Sequence, residues 1–228
     1  MTTTEDLAAR LEAVRAKRGY LLPHHGLMAL TAPDLLAAYD AAYTALALAD
    51  RILSHHDREF VWLAILISTD EAIATHHIAK FTAAGGTDAE AAAALSVTAT
   101  VCGFRAYGFV RDHWASHLPG LDLETLWQQA VERAGMGAEP RLVHMAACAV
   151  QVCNGDWKGL EWQIRAAYGA GVPEAELAEA ISLCMFPGSV PYFVEAAKVW
   201  QRLIAADRVP ASAPFRAWAA LSQGGHGT

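Results

Sequence analysis

Residues 70–86 read DEAIATHHIAKFTAAGG, and residues 156–171 read DWKGLEWQIRAAYGAG. Each stretch follows an apolar run opened by an arginine: Arg58 leads EFVWLAILIS in the first, and Arg141 leads LVHMAACAV in the second. From Asp70 and Asp156 onward the two align at a spacing of 86 residues, so that Gly85 meets Gly171 and Trp114 meets Trp200. Self-similarity at a fixed spacing is the mark of one folded unit used twice. The first copy alone carries paired histidines, His76 and His77, where the second has Trp162 and Gln163.

Working outward, almost every other segment has helical period. Thr4–Lys17 reads as a charged amphipathic helix, and Pro33–Asp50 as a helix with Pro33 at its start and Leu35, Tyr39, Ala42, Tyr43 and Leu46 on one face. Arg58–Ile67 is apolar all round and should be buried. Thr69 or Asp70 is expected to cap the following helix, which ends at Gly85-Gly86. Further helices are expected over Ala89–Ala99, Arg105–Ser116, Asp122–Ala134, Arg141–Cys153, Trp157–Ala170, Pro173–Met185, Val190–Asp207 and Phe215–Leu221, with Gln223–Thr228 fraying. Alternating strand patterns are absent. The expectation is an all-α fold: a lead-in over 1–50, a first repeat over 51–120, a second, degenerate repeat over 121–207 and a tail over 208–228, the two repeats packed together as one domain.

The 228 residues are 54% hydrophobic and 18% charged, with a formal net charge of -7. The acidic balance and the lack of a basic cluster argue against a nucleic-acid partner. The N-terminal stretch has no apolar signal core, and no uninterrupted apolar run approaches the ~20 residues of a membrane span. A cytoplasmic protein without a membrane partner is expected. Cys102, Cys148, Cys153 and Cys184 contain no CxxC and read as free thiols rather than a disulfide framework.

On an ideal helix at ~100° per residue, Ile73, Ala74, Phe81 and Ala84 surround His77 on an apolar face that Asp70 shares. His76 lies on the flank and Glu71 nearly opposite it. An imidazole in an apolar pocket with a carboxylate near it moves protons around neutral pH. Glu59, early in the apolar run, is costly to bury unless paired or functional, with Arg58 or Arg105 as salt-bridge partners. The alternative for His77 is a core histidine satisfied by one hydrogen bond. His144, in the second apolar run, has the same alternative.

Taken in order, an Arg-Glu pair, a hydrophobic run, a helix with a histidine, Ala-Ala-Gly and an acidic helix start resemble the carboxymuconolactone decarboxylase family, which belongs with the alkylhydroperoxidase D-type proteins. The second copy carries the pattern in Glu161–Ala167 and Gly171–Ala180, with a Pro-Gly before the last helix. Arg18-Gly19-Tyr20, His24 or His25 and Pro33-Asp34-Leu35-Leu36 resemble the lead-in of a tandem-repeat subgroup. The resemblance implies an alkylhydroperoxidase D-like helical fold, puts the family histidine on His77, eight residues before Gly85, and the upstream glutamate on Glu59. The dithiol of the peroxidase branch would fall near Asp70 and Ile73, and neither is cysteine, so a thiol peroxide cycle is excluded by that route. The decarboxylase branch needs no cofactor. Rings of the unit are also implied, with a trimer the first expectation for a fused pair.

The reading that follows is a cofactor-free acid–base lyase acting on a small oxygenated carboxylic acid or lactone through an enolate, with His77 as proton donor, Glu59, His76 and Glu71 around it, and Arg105 or Arg58 anchoring a carboxylate. Two other classes stand beside it. A metal site could draw on the doublets His24-His25, His55-His56 and His76-His77 or on His113 and His117 at i,i+4, although adjacent helical histidines diverge and His55-His56 is expected in a loop. A non-catalytic binding or assembly module would have solid packing around His77.

Overall fold

The computed structural model describes residues 3–221; the expected fraying of Gln223–Thr228 lies outside them. Among the described residues there are helices and connecting turns and no strand. The chain divides into two compact units, residues 1–49 and 50–228.

The first unit holds α1 (Thr4–Arg18), α2 (Pro23–Thr31) and α3 (Pro33–Tyr43). Thr3 and Asp6 form a capping box at the start of α1, and Gly19, at φ 80°, ends it. Val14, Ala29 and Leu36 form its core, with Leu7, Leu11, Leu21 and Met28 packed around them. The helix expected to run from Pro33 to Asp50 gives way to a π-helical turn over Thr44–Leu48. The guanidinium of Arg18 is buried here, paired with Asp40 at 2.8 Å and lying over the Tyr43 ring at 4.4 Å.

In the second unit, α4 (His55–Ser68) and α9 (Pro140–Asn154) pack against each other at the centre. Every residue from Arg58 to Ile65 is buried, as is every residue from Leu142 to Val152. Sequences apolar on all sides take this central position because no face needs water. Around the pair lie α5 (His76–Ala83) and α6 (Asp88–Cys102) against α4, and α10 (Trp157–Gly169) and α11 (Glu174–Ser182) against α9. The remaining helices are α7 (Arg105–His113), α8 (Leu123–Ala134), α12 (Val190–Ala205) and α13 (Ala213–Ala219). Residues 88–113 are together long and apolar enough to cross a membrane, a stretch the sequence reading passed over. Within it, Ala93, Ala94, Val97, Thr98 and Val101 of α6 are buried in the protein.

Three local expectations need correction. His55 and His56 are not in a loop: Ser54 caps α4, accepting from the Asp57 N–H, and the two histidines form the first turn. The expected helix over 105–116 ends at His113 and resumes as a 3₁₀ turn over Ala115–His117, so His113 and His117 do not share one helix. The helix expected from Asp70 begins only at His76. The reason for this last difference lies one residue upstream. In the second copy Gly155 takes the left-handed turn at φ 66°, which leaves Asp156 free to cap α10 by accepting from the Gly159 N–H. In the first copy the matching residue is Thr69, a β-branched residue that bonds its hydroxyl to the Ile65 carbonyl. The left-handed position falls instead on Asp70, at φ 55°. Asp70 therefore caps nothing, and residues 70–75 run as turns held by Glu71 N–H to Leu66 O and Ala74 N–H to Glu71 O.

An ionic joint ties α4, α6, α9 and α11 together. Arg141 donates to Asp57 at 2.8 Å and also bonds Glu139 and Glu176. His56 meets Asp57 through Nδ1 at 3.0 Å and Glu90 through Nε2 at 3.2 Å. Burial by itself would lower the His56 pKa, but the two carboxylates outweigh it and hold the imidazole above its ordinary value. The folded state thus binds this proton more tightly than the unfolded chain. The His56 contribution to the joint is at full strength below about pH 6.5 and is lost as pH rises through the folded-state value, while the Arg141 pairs remain. All seven tryptophans lie in residues 50–228. Unfolding followed by tryptophan fluorescence should therefore move to lower temperature by a few degrees between pH 6 and pH 9. The slope should be visibly shallower in His56→Gln.

Candidate functional site

The site begins with a carboxylate that the apolar run cannot leave in water. Glu59 sits in the first turns of α4 and is 1% exposed; His77 sits in the first turn of α5 and is 3% exposed. α5 crosses α4 there, and His77 Nδ1 lies 2.6 Å from Glu59 Oε2. Glu59 thus meets the histidine. With the carboxylate ionised, Nδ1 carries the hydrogen and donates it, so that in the neutral ring Nε2 holds the lone pair.

Aromatic rings close around the pair. Trp62, one turn after Glu59, has its ring centroid 4.8 Å from that of His77, and the His76 ring lies 4.4 Å from that of His77, tilted by 44°. Trp62 is 2% exposed and its indole N–H has no hydrogen-bond partner. The sequence analysis did not single this residue out; an indole three residues after a buried glutamate was the available signal.

The unwound segment 70–75 opens a cavity of about 470 Å³ between itself and α4. Leu63, Leu66, Ile67 and Ile78 supply its apolar wall, and Asp70, Glu71 and Thr75 its polar rim. Thr75 and Ile78 flank His77 in the chain, while His77 itself is not among the lining residues. Asp70 and Glu71 therefore belong to the cavity rather than to the face of a helix carrying His77. Neither arginine proposed as a carboxylate anchor lines it. Arg58 is buried at the start of α4, with Nη2 2.7 Å from His55 Nδ1, and Arg105 is exposed at the start of α7.

The second copy shows the same crossing with the charge removed. Gln163, at the position of His77, meets His144 Nδ1 at 2.8 Å and accepts from the Trp127 indole at 3.2 Å. Burial holds His144 below its ordinary pKa, against a weaker opposing influence from Glu132, so its ring is neutral beside a neutral amide. His144 is the satisfied core group expected of it. Among the described residues no three His, Cys, Asp or Glu side chains converge as a metal-binding group.

Residues 33–110 match the family model for the carboxymuconolactone decarboxylase family. No curated protein and no solved structure matches the chain.

The closed pair should respond asymmetrically to mutation. His77→Ala strands a buried carboxylate and should destabilise the protein by about 3 kcal/mol or more. Replacing Glu59 and His77 together by leucine removes both charges and should cost less than the single change. Urea unfolding of the two variants and the wild type checks this order.

Proposed function

Because residues 33–110 match the carboxymuconolactone decarboxylase family model, we propose that the Glu59–His77 pair is the proton-transfer centre of a cofactor-free acid–base lyase. The observation that carries the reading is the 2.6 Å contact between two side chains almost wholly removed from water. Glu59 fixes the imidazole in one orientation and balances the imidazolium formed when Nε2 takes a proton. Charge transfer inside such a site meets little solvent screening. Nε2 would deliver the proton to carbon once carbon dioxide has left and an enolate has formed. The unpartnered indole N–H of Trp62 is a further donor beside the ring.

The cavity over residues 70–75 bears on how a substrate would sit. Two carboxylates and no cation stand on its rim. Coulomb repulsion there would turn the carboxylate that is to be lost away from Asp70 and Glu71 and toward the apolar wall. Glu71 then acts at the cavity edge, while Arg58 and Arg105 do not line this cavity. Exposed Phe109, Trp114 and Leu118 along and after α7 support self-association, with a trimer the expected state, which light scattering would measure.

A second reading rests on the packing around His77. Its ring lies against Trp62, His76 and Glu59 rather than on the cavity wall. A buried ion pair that serves only the fold would look the same.

One assay separates the two. Purified protein is incubated in D2O with 4-carboxymuconolactone and with a panel of small lactones and β-keto acids. Carbon dioxide release and deuterium at the product carbon are followed. Turnover by the wild type, with kcat lowered about 10²–10⁴-fold in Glu59→Gln, is the expected result for a general acid–base centre. Turnover undiminished in Glu59→Gln, or none on any compound, overturns the catalytic reading and leaves the structural one.

A further inference from the structure

The last three helices enclose a space that the proton-transfer reading leaves unused. Phe193, Ala197 and Trp200 recur on one face of α12 at steps of four and three residues, and Ala178 and Ile181 share a face of α11. Together with Phe215 and Trp218 of α13 they line a cavity of about 290 Å³, partly open to solvent. The two alanines leave the gap between the helices unfilled. Among the described residues, no lining side chain carries a hydroxyl, an amide or a charge. Trp200 even turns its indole N–H away, donating it to the Tyr168 hydroxyl at 3.1 Å.

Hydrogen bonds outside the cavity hold its walls apart. Glu174 Oε1, at the start of α11, accepts from the Tyr168 hydroxyl at 2.6 Å and from the Ser212 N–H at 3.1 Å, which fixes the start of α13. Gln201 of α12 donates to the Trp218 carbonyl at 3.3 Å, which fixes its end. Anchored at both ends, α13 bridges the gap instead of filling it: none of its residues is fully buried, and Phe215 and Trp218 are half-buried. Trp218 meets Trp200 and Phe215 edge-on, at 80° and 81°, while Trp200 and Phe215 are tilted by 35° with centroids 5.2 Å apart. Trp114, which holds the repeat position of Trp200, is 51% exposed, so the enclosed indole belongs to the second copy alone.

We propose that this cavity is a binding site for a small, uncharged aromatic molecule. An apolar cavity of about 150 Å³ takes a benzene ring, and one of about 290 Å³ has room for two fused rings. A carboxylate or ammonium entering it would lose its water and find no partner, so the guest is uncharged. Aromatic faces by themselves attract cations, but no carboxylate lines the cavity to balance one. Rings set edge-on to one another offer a flat guest both edge-to-face and offset-stacked contacts. Residues 222–228, SQGGHGT, contain no large apolar side chain with which the chain could fill the space itself. The site shares no residue with the Glu59–His77 pair or with the cavity over residues 70–75, and it does not depend on the function proposed for them.

The probe is N-phenyl-1-naphthylamine, which brightens in apolar surroundings. It is titrated into the folded full-length protein beside its 8-sulfonate, the same rings with one negative charge. The expected result is one neutral probe bound per chain, with quenching of tryptophan emission, and binding of the sulfonate weaker by about tenfold or more. tert-Butylbenzene should displace the probe, and the phenyltrimethylammonium cation, of nearly the same shape, should not. Ala197→Leu and Ala178→Leu each put a larger side chain into the cavity and should weaken binding by about tenfold or more, with circular dichroism unchanged. Trp218→Ala, in a helix without a fully buried residue, removes one wall and should do the same where a leucine variant fails to fold. No binding of the neutral probe, equal binding of the sulfonate, displacement by the cation, or binding that the folded variants retain overturns the proposal.

Discussion

A carboxylate and an imidazole shut away from water at one helix crossing constrain the first half of the second unit. Leaving either charged and alone in that interior costs several kcal/mol, whereas holding them 2.6 Å apart offsets much of that cost. The requirement sets where α5 crosses α4. Trp62 and His76 follow from it, since each packs its ring on the histidine that Glu59 holds. The chain met the same crossing a second time and answered it without charge. Gln163, His144 and Trp127 satisfy one another as neutral groups. One packing problem thus has two solutions, one holding a carboxylate against an imidazole and one built from neutral groups.

A single backbone choice separates the two copies further. Gly155 absorbs a left-handed turn and lets α10 start at once, while Thr69 does not, and the turn passes to Asp70. The first copy thereby gives up the opening turns of its helix, and the cavity rimmed by Glu71 and Thr75 lies where those turns would have been. Local conformational preference, acting at one residue, thus decides that there is an opening beside the ionic pair and none of that kind was expected from the repeat alone.

Much of the architecture was legible in particular residues. The apolar runs after Arg58 and Arg141 announced the two central helices because a segment without a polar face has nowhere else to go. His77 stood out against Gln163, and Glu59 stood out as a carboxylate in an apolar run. Their meeting was not legible, because it links residues 18 apart through the angle at which two helices cross. The wheel that put Asp70 beside His77 assumed an unbroken helix, and a strained residue broke it. Arg105 was named for its charge alone, and its exposed place at the start of α7 depended on packing that no spacing encodes.

Composition, period and repetition therefore determined the all-α fold, the two buried helices and the asymmetry between a histidine copy and a glutamine copy. These are properties of neighbouring residues on one helix, where 3.6-residue geometry turns spacing directly into position. The tertiary structure alone decided which acid the histidine meets and where the cavity opens, since each depends on side chains from different helices and so on how those helices cross.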